Sequence, residues 1–155
     1  MCKLILAALL GCVATTAFSA PADQALGKWT CVDDRPESGT VRSEIELTPK
    51  GKFTADIWLD ISLSGKSIQA HATYRSRYKI DGNSFVDRPK RVRMLSMTVD
   101  GVDATKSPEA KALRGALMKD NGSIAELSFP GPNQLHFFED GRIECIRYDT
   151  LSVTS

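Results

Sequence analysis

Few residues in the sequence combine the type and the spacing that catalysis requires. Gly65-Lys66-Ser67 matches the end of a phosphate-binding loop, but that motif needs a glycine five residues before Gly65, where Asp60 stands. His71 and His136 are the only histidines, and neither is accompanied by a Gly-x-Ser-x-Gly motif or by a cysteine expected to be free. The sequence therefore predicts a hairpin turn at 65–67 and offers no catalytic triad.

The carboxylates and the potential metal ligands support no other active site. Asp56 and Asp60 share one face of a predicted strand at a separation of about 13 Å, which is too large for a shared proton or for the carboxylate pair of a retaining glycosidase. Neither histidine stands at a ligand-type spacing from a cysteine. We therefore expect a protein that is not an enzyme and that has no cofactor and no metal site.

The four cysteines divide into two pairs. Cys2 and Cys12 lie among the first 19 residues, whereas Cys31 and Cys145 stand near the two ends of the remaining chain. Two cysteines in an oxidising compartment most simply form a disulfide. We predict that Cys31 pairs with Cys145, which would close a long loop and lower the entropy of the unfolded chain.

The first 19 residues have the pattern of an export signal. A cation and an apolar run precede Ala17-Phe18-Ser19, whose small residues fit cleavage after Ser19. Alternatively, Leu9-Leu10-Gly11-Cys12 resembles a bacterial lipobox, in which Cys12 would be acylated and would become the new N-terminus. We expect a signal peptide at 1–19 and a periplasmic or secreted protein. We expect no transmembrane span, because this segment is too short to cross about 30 Å of hydrocarbon comfortably.

Apolar and polar residues alternate along much of the remaining chain. The clearest run extends from Phe53 to Leu63, where every odd-numbered residue is apolar. Glycine, proline or asparagine separates such runs and favours tight turns. One stretch differs, because Ser107-Pro108-Glu109 begins a run with helical spacing that ends at Asn121-Gly122. The predicted strands are 26–33, 40–48, 52–63, 67–80, 84–99, 123–129, 134–138 and 142–149, and the predicted helix is about 108–120.

These elements predict an all-β fold in one domain at 20–155. Short connections make neighbouring strands antiparallel, and eight strands can close a small barrel. We therefore expect an antiparallel up-and-down barrel of about eight strands, with one short helix at about 108–120 that covers one end. We also expect Asp87-Arg88-Pro89-Lys90 to bend the fifth strand, because proline cannot donate to a strand ladder.

The charge balance argues against a nucleic-acid partner but leaves a local basic face. Removal of Lys3 with the leader leaves 19 of the 20 basic side chains against 19 acidic ones, whereas nucleic-acid-binding domains carry a basic patch or stripe and are usually basic. Many cations nevertheless fall in residues 66–93. They could form a face for an anionic partner, or they could pair across strands with Asp56 and Asp60. The candidate interaction face comprises Trp58, Arg75, Arg77, Lys79, Arg91 and Arg93.

Gly27-Lys28-Trp29 in the first predicted strand resembles the Gly-x-Trp signature of the lipocalin-like, or calycin, barrels. In that superfamily the tryptophan packs across the floor of the barrel, under a basic residue from near the last strand. Arg142 or Arg147 could fill that position here. The disulfide between the chain ends and the order of the hairpins fit the resemblance as well. The chain departs from the family in that its predicted helix precedes the final three strands instead of following the last one.

The resemblance implies the architecture alone. Together with the leader and the absence of catalytic motifs, it leads us to expect an exported, non-enzymatic, lipocalin-like binding protein of the bacterial envelope. Small Ala55, Ala70 and Ala72 on the predicted inward face leave room for a small apolar ligand inside the barrel. The alternative is a small protein inhibitor or an envelope protein-interaction module that uses the basic face. We expect a monomer in either case. The candidate ligand-binding residues, all on the predicted inward faces of the third and fourth strands, are Phe53, Ile57, Leu59, Tyr74 and Tyr78.

Overall fold

The strands of the protein follow the alternation in its sequence closely. The computed structural model describes residues 20–35, 38–119, 124–139 and 141–148, so the predicted signal peptide at 1–19 lies outside the described residues. The strands are β1 (Gly27–Arg35), β2 (Gly39–Leu47), β3 (Lys52–Leu63), β4 (Lys66–Asp81), β5 (Ser84–Val99), β6 (Val102–Asp103), β7 (Ile124–Gly131), β8 (Gln134–Phe138) and β9 (Arg142–Arg147), and the helices are α1 (Pro21–Ala25) and α2 (Pro108–Lys119). All eight predicted strands are present, and β6 and α1 are additions to the prediction.

Eight of the strands form a closed antiparallel ring. Its order is β1-β2-β3-β4-β5-β7-β8-β9, and β9 pairs again with β1. The short strand β6 pairs with the end of β5 outside this ring. Inward-facing side chains from the ring strands pack together as the main core. The predicted all-β antiparallel barrel is therefore confirmed.

Helix α2 packs along β5, a strand that has few paired residues on one of its two sides. β5 pairs with β4 along its whole length, but with β7 only through residues 84–86. Ala110 of α2 is 3% exposed and belongs to a core cluster that includes Met97 of β5. The Ser107 hydroxyl accepts the N–H of Ala110 at 3.2 Å, which confirms the predicted start of the helix. Its predicted end at Asn121-Gly122 lies outside the described residues.

An extra residue in β5 changes which of its side chains face outward. The pairing of β5 with β4 skips Lys90, so the predicted bend over 87–90 is confirmed as a bulge. Asp87 is buried before the bulge and Val92 is buried after it, whereas a regular strand would bury residues an even number apart. The exposed cations that the bulge places on one outer face are Arg88, Arg91 and Arg93.

Trp29 and Arg147 close one end of the barrel. Trp29 is fully buried, and its ring N–H donates to the backbone oxygen of Ala25 at 2.8 Å. The Arg147 guanidinium lies 4.2 Å from the centre of the indole ring and donates to two backbone oxygens at the end of α1, at 2.8 and 2.9 Å. Arg147 thus takes the position over the tryptophan, whereas Arg142 pairs with Glu144 at 2.7 Å.

The disulfide joins the first strand of the ring to the last. Cys31 and Cys145 face each other in the register of β1 and β9, and their sulfur atoms are bonded. Both residues are buried in the core, with 2% and 1% of their surfaces exposed. The predicted pairing is confirmed. Because β1 and β9 share only the four register pairs from Trp29 to Val32, the covalent bond reinforces a short seam.

The close approach of Arg147 explains why glycine stands at position 27. Gly27 has a φ of +113°, and an added Cβ would lie 2.9 Å from a guanidinium nitrogen of Arg147. Gly27→Ala should therefore lower the free energy of unfolding by about 1–3 kcal/mol. Gly115→Ala in α2 is the matched control, because an added Cβ there meets no atom within 4 Å and alanine should stabilise the helix by about 0.5–1 kcal/mol. Urea denaturation measures both effects, and a shared sign would contradict this account of Gly27.

Candidate functional site

A cavity of about 300 Å³ lies inside the ring of strands. Each ring strand contributes to its wall, and α2 contributes Leu117. This volume is at the lower end of the range found for small-molecule sites. The described lining residues are Cys31, Val41, Ser43, Ile45, Phe53, Ala55, Ile57, Leu59, Tyr74, Phe85, Asp87, Leu117, Ala125, Phe137, Glu139 and Ile143.

Four of the five residues predicted to face a ligand lie on this wall. They are Phe53, Ile57, Leu59 and Tyr74. Phe53 packs edge-on against Tyr74, with ring centres 5.7 Å apart, and against Phe85 at 5.9 Å. Small Ala55 between Phe53 and Ile57 leaves space that a larger side chain would fill.

Tyr78 is the fifth predicted residue, and the structure places it away from the cavity lining. Its ring stacks on Phe85 at 5.5 Å, and its hydroxyl donates to the backbone oxygen of Thr48 at 2.8 Å. Partial burial raises the pKa of this hydroxyl. The hydrogen bond to Thr48 fixes Tyr78 as a packing residue between β4 and the end of β2.

Polar groups occupy a small part of the cavity wall. The Tyr74 hydroxyl donates to the carboxylate of Asp87, and these two residues are 7% exposed each. Ser43 adds a second hydroxyl, and Glu139 adds a second carboxylate where the lining reaches the surface. The wall therefore combines aromatic and aliphatic surface with two groups that, when ionised, accept hydrogen bonds without donating any.

Sequence reasoning did not identify Asp87 as an interior residue. An acid is rarely buried unless it is paired, and this acid stood in the segment 87–90 that was expected to bend. The signal that identifies it is alternation with Phe85, because the two residues stand two positions apart and precede the bulge. Tyr74, whose inward position was predicted, supplies the hydrogen bond that makes this burial tolerable.

The outer faces of β4 and β5 carry arginines in directly opposed pairs. Arg75 faces Arg91 and Arg77 faces Arg88. The predicted interaction-face residues Arg75, Arg77, Lys79, Arg91 and Arg93 are all exposed. We call the four paired residues Arg75, Arg77, Arg88 and Arg91 the arginine rows.

Among the residues that the structure describes, no ion pair joins these cations to Asp56 or Asp60. The register places Asp56 opposite Thr73 and Asp60 opposite Gln69. Asp56 approaches His71 instead, at 3.4 Å between Oδ1 and Nε2. The ion pairs found in the described part of the chain include none of the arginine rows. Within the described ranges, no ion pair therefore neutralises their positive charge.

Directly opposed like charges should destabilise the β4–β5 pair. Arg75→Glu converts the contact with Arg91 into an attraction and should raise the free energy of unfolding by about 0.2–1 kcal/mol. The gain should shrink in concentrated salt, which screens exposed charges. Denaturation of Arg75→Glu, Arg91→Glu and the double variant tests this, because the double variant restores like charges and should lose the gain. A double variant more stable than both single variants would contradict the interpretation.

Trp58 lies on the outer face, but its neighbours cover part of its ring. It stacks on His71 with ring centres 4.8 Å apart and an angle of 12°, and the Arg42 guanidinium lies 5.6 Å from its ring centre. The register row of Asp56 and Thr73 separates it from Arg75. Trp58 is therefore a half-buried member of an Arg42–Trp58–His71 stack and lies apart from the arginine rows.

The structure defines an all-β protein built on a ring of eight antiparallel strands. Comparison with known proteins finds no family model that matches the sequence and no curated protein that is similar to it. Within the described ranges, no group of three histidine, cysteine, aspartate or glutamate residues could hold a metal ion. The same ranges contain no helix with the length and apolarity needed to span a membrane.

Proposed function

We propose that the protein is an exported, non-enzymatic binding protein, similar to the lipocalin-like barrels, that carries a small apolar ligand in its interior. The observation that carries this proposal is the cavity of about 300 Å³ with its mainly apolar wall. Small-molecule sites typically combine such a wall with a few placed polar groups. The stack of Arg147 on Trp29 supports the resemblance, and a disulfide is compatible with an oxidising compartment.

The polar groups of the wall favour an uncharged ligand that donates a hydrogen bond. Asp87 and Glu139 bring carboxyl groups to the lining, and a ligand carboxylate beside either of them, when it is ionised, would place like charges together in a partly desolvated site. Such a like charge is unfavourable. A hydroxyl or an uncharged arylamine N–H on an otherwise apolar molecule would instead complement these acceptors. We therefore propose a neutral ligand of this kind in preference to a fatty-acid anion.

Two fluorescent probes test the polarity of the site. N-phenyl-1-naphthylamine is neutral and carries one N–H donor, and 8-anilinonaphthalene-1-sulfonate has the same ring framework with an added sulfonate. We expect the neutral probe to bind the cavity at least about tenfold more tightly, a difference of about 1.4 kcal/mol. Tighter binding of the sulfonate in the cavity would contradict the proposed ligand chemistry.

A pair of valine substitutions locates the probe. Val41 is half-buried on the cavity wall, so Val41→Trp should fill part of the cavity and weaken the neutral probe at least about tenfold. Val32 on the neighbouring strand β1 faces outward and is 39% exposed, so Val32→Trp should leave the affinity within about twofold. Fluorescence titration of both folded variants decides the question. Unchanged affinity of Val41→Trp for the neutral probe would show that the probe does not bind in the cavity.

A further inference from the structure

A second recess lies outside the barrel, where α2 packs along β5. Its volume is about 440 Å³. Val92, Met94 and Ala110 supply its apolar surface, and Val92 and Ala110 are buried. We call this recess the basic groove, because its remaining described lining, apart from Thr105, consists of the cations Arg91, Arg93, Lys106, Lys111 and Arg114.

The cations of the basic groove come from three segments of the chain. Arg91 and Arg93 belong to β5 and share its outer face because of the bulge at Lys90. Lys111 and Arg114 are three residues apart on α2, a spacing that places side chains on one face of a helix. Lys106 precedes the helix. Positive groups therefore border the groove from the strand, from the helix and from the connection between them.

No acid among the described lining residues compensates this charge. Glu109 is the one acidic residue of α2 and does not line the groove. Hydrogen bonds from its own N–H and from the Ser107 hydroxyl, together with Lys66, lower the pKa of Glu109. Asp103, the nearest acid before Lys106, accepts hydrogen bonds from the N–H and the hydroxyl of Thr105, at 3.0 and 2.7 Å. These bonds and the charge of Lys106 lower the pKa of Asp103, so Asp103 compensates Lys106 in part.

The cross-strand neighbours of the two strand cations do not reduce the positive potential, because one neighbour is itself positive and the other is uncharged. Arg91 faces Arg75, and Arg93 faces uncharged Thr73. The ion pairs found in the described part of the chain include none of the five groove cations. Like charges held together in a concave site raise the local concentration of counter-ions. The groove is thus a basic recess in which, among the described residues, Asp103 offsets part of the charge of Lys106 and no ion pair engages the other four cations.

We propose that the basic groove binds a soluble anion that carries two or more phosphate groups. A recess of about 440 Å³ has the size of a small-molecule site, and cations on three sides suit a compact ligand that enters the groove better than a flat surface. Arginine binds phosphate oxygens through paired N–H donors, and lysine adds point charges. The groove shares no described lining residue with the barrel cavity, so this site goes beyond the proposed carrier function.

Tripolyphosphate and a matched pair of double variants test the proposal by isothermal titration calorimetry. Lys111→Gln/Arg114→Gln removes two exposed groove cations. Lys28→Gln/Lys119→Gln removes the same charge from exposed positions outside the groove. We expect saturable binding of one tripolyphosphate per chain. The groove variant should bind at least about tenfold more weakly, because a hydrogen bond to a charged group contributes about that factor, and the control should remain within about twofold.

Amide chemical shifts provide a second measurement on the wild-type chain. Tripolyphosphate should perturb the amides of Arg91–Met94 and Thr105–Arg114, and the neutral naphthylamine probe should leave these signals unchanged. Equal weakening of tripolyphosphate binding in both double variants would show an effect of net charge alone and overturn the proposal. Binding to phosphatidylglycerol vesicles without binding to tripolyphosphate would overturn it in favour of a membrane surface, and binding to neither would also overturn it.

Discussion

Replacing both Cys31 and Cys145 with alanine is expected to lower the free energy of unfolding by about 3–5 kcal/mol. The bond closes a loop across a sequence separation of 114 residues, and loops of that length restrict the unfolded chain strongly in the chain-entropy account. The bond also joins β1 to β9, the first and last strands of the ring. Alanine avoids placing new polar groups at two positions that are 2% and 1% exposed.

Urea denaturation with and without a reducing agent measures this effect. Wild-type protein in reducing agent should approach the stability of the double variant, and the agent should leave the double variant unchanged. The midpoint should move to lower urea concentration in the variant, since stability falls linearly with denaturant. A loss below about 1 kcal/mol would mean that the seam between β1 and β9 is held by its hydrogen bonds and packing alone.

Long strands were predictable because their alternation continues over many residues. The predicted spans 52–63 and 84–99 coincide with β3 and β5. In β3 the pattern covers the whole strand, and a glycine turn follows at Gly65, with φ of +77°. Both signals are local, so tertiary packing was not needed to recognise the strand.

The sequence did not predict the short elements, nor which side chains of β5 face outward after the bulge. Helix α1 has five residues and β6 has two, and neither length covers enough positions to show a period. Pro89 indicated a bend, but the sequence did not specify that Lys90 would be one of the two residues of β5 skipped in the pairing with β4. The bulge at Lys90 turns Arg91 and Arg93 outward. It therefore determines where the charge of Arg91 lies in the arginine rows and where both charges lie in the basic groove.

The sequence predicted most of the apolar residues that line the cavity, but it did not predict the polar ones. Inward alternation placed Phe53, Ile57, Leu59 and Tyr74 on the wall. It also pointed Tyr78 inward, but the hydrogen bond of Tyr78 to a backbone oxygen and its stack on Phe85 depend on tertiary contacts. Whether a barrel is hollow depends on the summed volumes of facing side chains, which alternation alone does not give.

Helix α2 contributes to both recesses. Leu117 lines the barrel cavity, whereas Lys111 and Arg114 line the basic groove. Successive residues turn by about 100° around a helix, so Lys111 and Leu117 point about 120° apart and Arg114 lies between them. A single docked helix can therefore present Leu117 to the core and Lys111 and Arg114 to the adjoining surface. Substitutions at Lys111 and Arg114 therefore test the groove without altering a described residue of the cavity wall.

Trp29→Ala should destabilise the protein by about 3–5 kcal/mol, the range for truncation of a buried tryptophan. Trp29 has 0% of its surface exposed, so the substitution leaves a large cavity at the closed end of the barrel. It also removes the N–H donor to Ala25 and the ring beneath the Arg147 guanidinium. These contacts join α1, β1 and β9, and their loss should therefore lower stability beyond the loss of apolar burial alone.

Trp58→Ala is the matched control, because it removes the same side chain from the outer face. Trp58 is half-buried, and its stack with His71 and Arg42 should contribute about 1 kcal/mol. Denaturation monitored by far-ultraviolet circular dichroism compares the two variants without relying on tryptophan fluorescence. If both variants lost the same stability, Trp29 would not hold the end of the barrel together. A much larger loss in Trp29→Ala than in Trp58→Ala would assign that role to the Trp29–Arg147 stack, provided that Arg147→Lys reproduces it in part, because lysine lacks the paired planar donors.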